Sequence, residues 1–140
     1  MSYINRYCKK LKKLSFEEKE IKAKEIFNNL LEILPNNSEE DRKESTWLIF
    51  GTALSVVFSD NVLDPSEVNL INYILSEKYD ESSIKKIVKK YESQIDFVIS
   101  IFKFLKKGFK KMIINFCILF ALADGEFSEE EQRVIVNLSK

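Results

Sequence analysis

The chain has 140 residues, 45% of them hydrophobic and 31% charged, with 22 basic and 22 acidic side chains and a formal net charge of zero. That length suits one domain with a full core, and the balanced charge argues against a dedicated nucleic-acid binder. The absence of His excludes Ser-His-Asp catalysis, Cys-His catalysis and any His-bearing metal site.

Two Cys, Cys8 and Cys117, are too few for a zinc cluster, and their surroundings read as helix faces and not as a disulfide scaffold. Three Gly and two Pro leave few breakpoints, which favours long helices over a turn-rich β architecture. The start, MSYINRYCKKLKKL, carries charge but no apolar core segment, so it does not read as a signal peptide. The most apolar run, Met112 to Ala123, is 12 residues, short of the roughly 20 that a spanning helix needs. A cytoplasmic location is expected.

About seven helices follow in chain order. Ile4, Tyr7, Cys8, Leu11 and Leu14 fall at helical spacing, with Lys9, Lys10, Lys12 and Lys13 elsewhere on the wheel. Ser15 with Glu18 forms a capping box that opens a second helix through Leu34, with Ala23, Ile26, Phe27, Leu30, Leu31 and Leu34 on its stripe. Pro35-Asn36-Asn37 stops it. Ser38 and Asp41 repeat the capping pattern for a third helix ending near Ser59; its second half, WLIFGTALSVVF, is apolar on nearly every side, as a central helix should be. Trp47 reads as a core anchor at the start of that half.

Asp64-Pro65-Ser66-Glu67 supplies an N-cap, a Pro at the first helical position and a capping Glu at the third. The fourth helix is expected to run to about Tyr79, and a fifth to follow Ser82 or Ser83, carrying Ile84, Ile87, Val88 and Tyr91. A sixth stretch extends from Gln94 towards Ala123, with Gly108 as the candidate break. Ser128 with Glu131 opens the last helix. No strand-like alternation competes, and the expected fold is all-α, one domain over residues 1–140.

Two stretches superpose 64 positions apart: Phe50 to Ile74, FGTALSVVFSDNVLDPSEVNLINYI, and Ile114 to Leu138, INFCILFALADGEFSEEEQRVIVNL. Each is an apolar helix, an Asp, a short loop, a capped start and an amphipathic helix. Asp60 matches Asp124, Asn61 matches Gly125, Leu63 matches Phe127, Asp64 matches Ser128 and Glu67 matches Glu131. Asn and Gly both tolerate the left-handed conformation that ends a helix. Two such helix-loop-helix units would pair their apolar helices at the centre of the fold.

ALADGEFSEEEQRVIVNL resembles the acidic A-D-G-x5-E motif of the TerB-like (tellurite-resistance B) family. It is also similar to a motif in the N-terminal domain of certain membrane-anchored J-domain co-chaperones. SDNVLDPSEVNLINYI looks like a first, weaker copy. The resemblance covers about Trp47 to Lys140; residues 1–45 carry no part of it. It implies a non-enzymatic stress-response or tellurite-resistance-type accessory domain.

The chemistry of the two loops rests on Asp60, Glu67, Asp124 and Glu131. Carboxylates are hard oxygen donors that suit Ca²⁺, Mg²⁺ or Mn²⁺. An Asp at a helix C-terminus faces the negative end of the macrodipole, a placement that calls for compensation, and each Glu lies seven positions later in the first turn of the next helix. A plainer reading fits the same residues: Glu67 and Glu131 as capping-box members and the two Asp as Asx-turns. The readings are compatible. Neither loop is an EF-hand, because the twelfth positions from Asp60 and Asp124 are Ile71 and Ile135, not the bidentate Glu.

FKFLKKGFKK interleaves Phe with Lys103, Lys106, Lys107, Lys110 and Lys111, a pattern that could suit RNA or an anionic membrane surface. On one continuous helical wheel, Val98, Ile101, Phe102, Leu105, Phe109, Met112 and Phe116 make a core stripe and the lysines a solvated face. The expectation is therefore ordinary amphipathicity, with no nucleic acid bound and only three Arg in the chain. Peripheral membrane contact stays open for the basic Arg6 to Lys13 segment. No catalytic constellation and no small-molecule substrate are legible. The expected partner is another protein, and the rival to cation binding is an interaction module, scaffold or co-chaperone-like, that uses its acidic surface without metal.

Overall fold

The computed structural model describes residues 3–57, 63–124, 132–133 and 135–137. Its elements are α1 (Tyr3–Lys12), α2 (Phe16–Ile33), α3 (Glu39–Val57), α4 (Pro65–Leu75), α5 (Glu81–Lys90), α6 (Glu92–Ser100), a 3-10 turn (Phe102–Phe104), α7 (Lys107–Ala121) and a closing 3-10 turn (Leu122–Asp124). No strand occurs among the described residues, and the fold is all-α.

Local chemistry sets most of the helix ends. Ser15 Oγ accepts from the Glu18 N–H at 3.1 Å while Glu18 Oε1 accepts from the Ser15 N–H at 3.0 Å, completing the capping box of α2. Asp41 N–H donates to Ser38 Oγ at the start of α3. Ser45 Oγ–H of α3 then donates to the Pro35 carbonyl at 2.7 Å, tying the α2–α3 turn to the helix that follows it.

α3 is the central element. From Ser45 to Leu54 every residue except the half-buried Leu48 is buried. It packs against α2, α5, α6 and α7, and α7 in turn packs against α2. The core of this three-helix centre is aromatic: the Phe50 ring stacks on Phe27 of α2 at 5.0 Å and meets Phe116 and Phe120 of α7 at 5.7 and 5.8 Å. The two apolar helices of the repeat, α3 and α7, are therefore paired in the middle of the fold. Equivalent positions share their environment. Ile71 and Ile135, 64 apart, are both fully buried, as are Ala53 and Cys117. Burial pushes the Cys117 thiol up to about 12, so it stays protonated and unreactive at neutral pH.

The structure moves three boundaries. α4 stops at Leu75, not near Tyr79, because Ser76 turns left-handed (φ 55°, ψ 46°). The Asn72 side chain then holds the turn, donating to the Tyr79 carbonyl and accepting the Tyr79 N–H. α5 is capped by Asp80, whose carboxylate accepts from the Ser83 N–H at 2.7 Å, and not by Ser82 or Ser83. The stretch from Gln94 to Ala123 is not one helix, and its break is not at Gly108. The chain leaves the helix at Ile101, makes a 3-10 turn that buries Phe102, and passes through the extended Leu105 before α7 begins.

Two neighbours in α3 generate predictions. Gly51 sits where α6 crosses: a Cβ there would fall within the Ile95 side chain, 2.8 Å from Cγ1 and closer still to Cδ1. Gly51→Ala should gain about 1 kcal/mol of helix propensity and lose about 1–3 kcal/mol to overpacking. We expect a lower melting temperature, with part of the loss recovered in Gly51→Ala/Ile95→Ala relative to the sum of the single variants. Thr52 is 1% exposed, and its Oγ1 is buried with no hydrogen-bond partner among the described residues. Thr52→Val removes that desolvated hydroxyl and should raise stability by about 1 kcal/mol in a denaturant titration; a loss of stability would show that the hydroxyl is satisfied.

Candidate functional site

The first acidic loop leads into the N-terminus of α4. Asp64 is the N-cap, with its carboxylate accepting from both the backbone N–H (2.9 Å) and the hydroxyl (2.6 Å) of Ser66. Those bonds, the hydroxyl's first, hold the Asp64 carboxyl below its usual range. Glu67 Oε2 accepts from the Asp64 N–H at 2.6 Å, which closes the box that the sequence pattern anticipates. Pro65 starts the helix where a missing N–H costs nothing.

Burial separates this box from the other one. Glu18, in the box of α2, is exposed, whereas Glu67 is 1% exposed. Capping accounts for the position of Glu67 but not for taking its carboxylate out of water, since an exposed Glu caps α2 equally well. Leu63, just before the cap, is buried as well.

Of the other three carboxylates proposed from sequence, Asp60 and Glu131 lie outside the described residues. Asp124 ends the 3-10 turn that closes α7, at the helix C-terminus as expected; its side chain also lies outside the description. Among the described residues no group of three or more Asp, Glu or Cys is arranged to hold a metal ion. The closing turn of α7 packs against α4, so the end of the second apolar helix lies beside the helix that Glu67 opens.

A cleft of about 510 Å³ was not anticipated. Leu54, Ile84, Val88 and Ile95 line it, with Lys85 and Lys89 from α5 and Glu92 and Asp96 from α6. Leu63 also lines it, so the cleft adjoins the α4 end of the first loop. Its sequence signal is faint: Lys85/Lys89 and Glu92/Asp96 are i, i+4 pairs, but only the turn at Tyr91 sets the two helices facing.

No helix among the described residues is long and apolar enough to cross a membrane. No curated protein matches the chain, and no solved structure does. The family model described as tellurite resistance protein TerB matches residues 48–140. That span starts within α3 and takes in the whole repeat, while α1 and α2 contribute Cys8, Leu11, Phe27 and Leu30 to the same hydrophobic cluster. The matched region is well over half of the chain, and the protein belongs to the TerB tellurite-resistance family.

Proposed function

We propose that this protein is a non-enzymatic TerB-type accessory domain of the cytoplasmic stress response, and that its acidic loops take up a divalent cation, Ca²⁺, Mg²⁺ or Mn²⁺. The family supplies the tellurite-resistance association. One observation carries the cation reading: a carboxylate, Glu67, held 1% exposed at the entrance to α4. Hard cations take clustered carboxylate oxygens, and Glu67 shares the two matching acidic loops with Asp60, Asp124 and Glu131, so a buried Glu67 oxygen beside such a loop suits a ligand role. The reading as a non-enzyme draws on the absence of His and on two buried cysteines whose thiols are raised by burial.

A second reading, a protein-interaction module without metal, draws on the cleft between α5 and α6. Its apolar floor and opposed Lys and acidic rims suit a partner helix with complementary charges. The likeness to J-domain co-chaperones points the same way and stays a proposal.

Thermal melts of chelator-stripped protein separate these readings. A cation at 100 times its dissociation constant should add about 2.7 kcal/mol and raise Tm by about 10 °C for a domain of this size. Glu67→Gln keeps an oxygen acceptor for the Asp64 N–H and should leave the metal-free melt nearly unchanged while reducing the cation shift. Asp60→Asn with Asp124→Asn should abolish it. No saturable shift with any of the three ions would retire the cation site and leave the interaction reading.

A further inference from the structure

The corner between α6 and α7 differs from the solvated face expected of it. Breaking the helix at Ile101 leaves two large rings outside: Phe97 is 62% exposed and Phe104 is 77% exposed. Phe97, Ile101 and Phe104 follow i, i+4, i+7 spacing. The backbone bonds Ile101 N–H to Phe97 O and Phe104 N–H to Ile101 O carry that spacing through the turn, so the three share one side. Phe102 points the other way and is buried.

Lysines surround these rings. Lys103, Lys106, Lys107, Lys110 and Lys111 fall within nine positions, and no Asp or Glu occurs between residues 97 and 123. Because the whole chain is neutral, these five charges make one corner cationic against an acidic remainder. Lys103, Lys106 and Lys107 make no ion pair among the described residues. Lys103 Nζ lies 5.1 Å from the Phe104 ring centroid, coupling a cation to the most exposed ring. α7 also begins without a side-chain cap, so the positive end of its dipole adds to the lysines' field.

We infer that this corner is a docking surface for an anionic phospholipid bilayer, with Phe97 and Phe104 entering the headgroup–acyl boundary and the lysines engaging lipid phosphates. Exposed aromatics beside exposed lysines such as Lys103, Lys106 and Lys107 are the composition of interfacial anchors, where the ring is buried and the charge stays at headgroup level. RNA suits the patch less well. It has no Arg for bidentate contacts, and Lys103 already covers a face of the ring that a base would stack upon. The surface is independent of the cation reading, since none of its residues belongs to the acidic loops.

The test is co-sedimentation of the full chain with vesicles of phosphatidylcholine containing 30% phosphatidylglycerol, against pure phosphatidylcholine vesicles and a uridine homopolymer. Partitioning onto the anionic vesicles should exceed that onto neutral vesicles by at least tenfold and fall as salt rises. Phe97→Ser with Phe104→Ser should reduce it tenfold or more. Lys103→Gln with Lys107→Gln should reduce it about 25-fold, at roughly fivefold per lysine. All four positions are exposed, so circular dichroism melts of both variants should match the parent. Absence of vesicle binding, binding that both double variants retain, or tighter binding to the homopolymer than to the anionic vesicles would each overturn the proposal.

Discussion

Phe50 is the residue on which the arrangement turns. Its ring lies within 6 Å of Phe27, Trp47, Phe116 and Phe120, and so joins α2, α3 and α7 in one aromatic cluster. Complete burial of a Phe contributes about 1.5–3 kcal/mol, and each well-placed ring pair adds about 0.5–1.5 kcal/mol. Phe27 and Phe116, 6.3 Å apart, close the same three-helix triangle, with Phe50 as the ring that has most aromatic neighbours. The residues around it in α3 serve the remaining neighbours: Gly51 lets α6 approach through Ile95, and Trp47 meets Tyr79, edge to face, in the turn after α4. A helix buried on all sides needs apolar or small residues all round it, and α3 has them from Ser45 to Leu54.

What was legible in the sequence depended on how local its cause was. The boxes at Ser15/Glu18 and Asp64/Glu67 could be read because each closes within four residues. The stripe of α2 and the apolar character of α3 and α7 follow from periodicity alone. The break between α6 and α7 could not be read, since its cause is tertiary: Phe102 turns inward to the core, and the new helix starts at Lys107 after Lys106, an N-cap with no capping side-chain bond. A wheel drawn through an unbroken helix still placed Phe102, Phe109 and Phe116 on the core side, where they lie, but it gave no sign of the break between them. Asp80 was hidden for another reason. Asp80, Ser82 and Ser83 are all capping residues, and only the geometry chooses the first.

The same divide runs through the candidate site. That Glu67 caps α4 is a local fact; that it is buried while Glu18 is exposed is decided by what packs over α4. Sequence patterns place functional groups at helix ends but do not report the dielectric around them. For a carboxylate that environment separates a simple cap from a charge needing a partner.

α7 shows how the fold can carry both proposed surfaces. Its 15 residues span about 22 Å, with lysines at the N-terminal end and Asp124 just past the C-terminal end. Both placements oppose the macrodipole, which favours acids at the start and bases at the finish. Charge at the ends of α7 therefore does not stabilise it. Its stability comes from the middle, where Phe116 through Leu122 are all buried against α2 and α3. A helix held by its centre can keep unfavourable charges at its ends, and such ends are where ligands of opposite sign gain most. A cation at one end and an anionic surface at the other would each complement the charge placed there. On those two proposals α7 would be a scaffold between two binding ends, with the aromatic cluster around Phe50 keeping them apart.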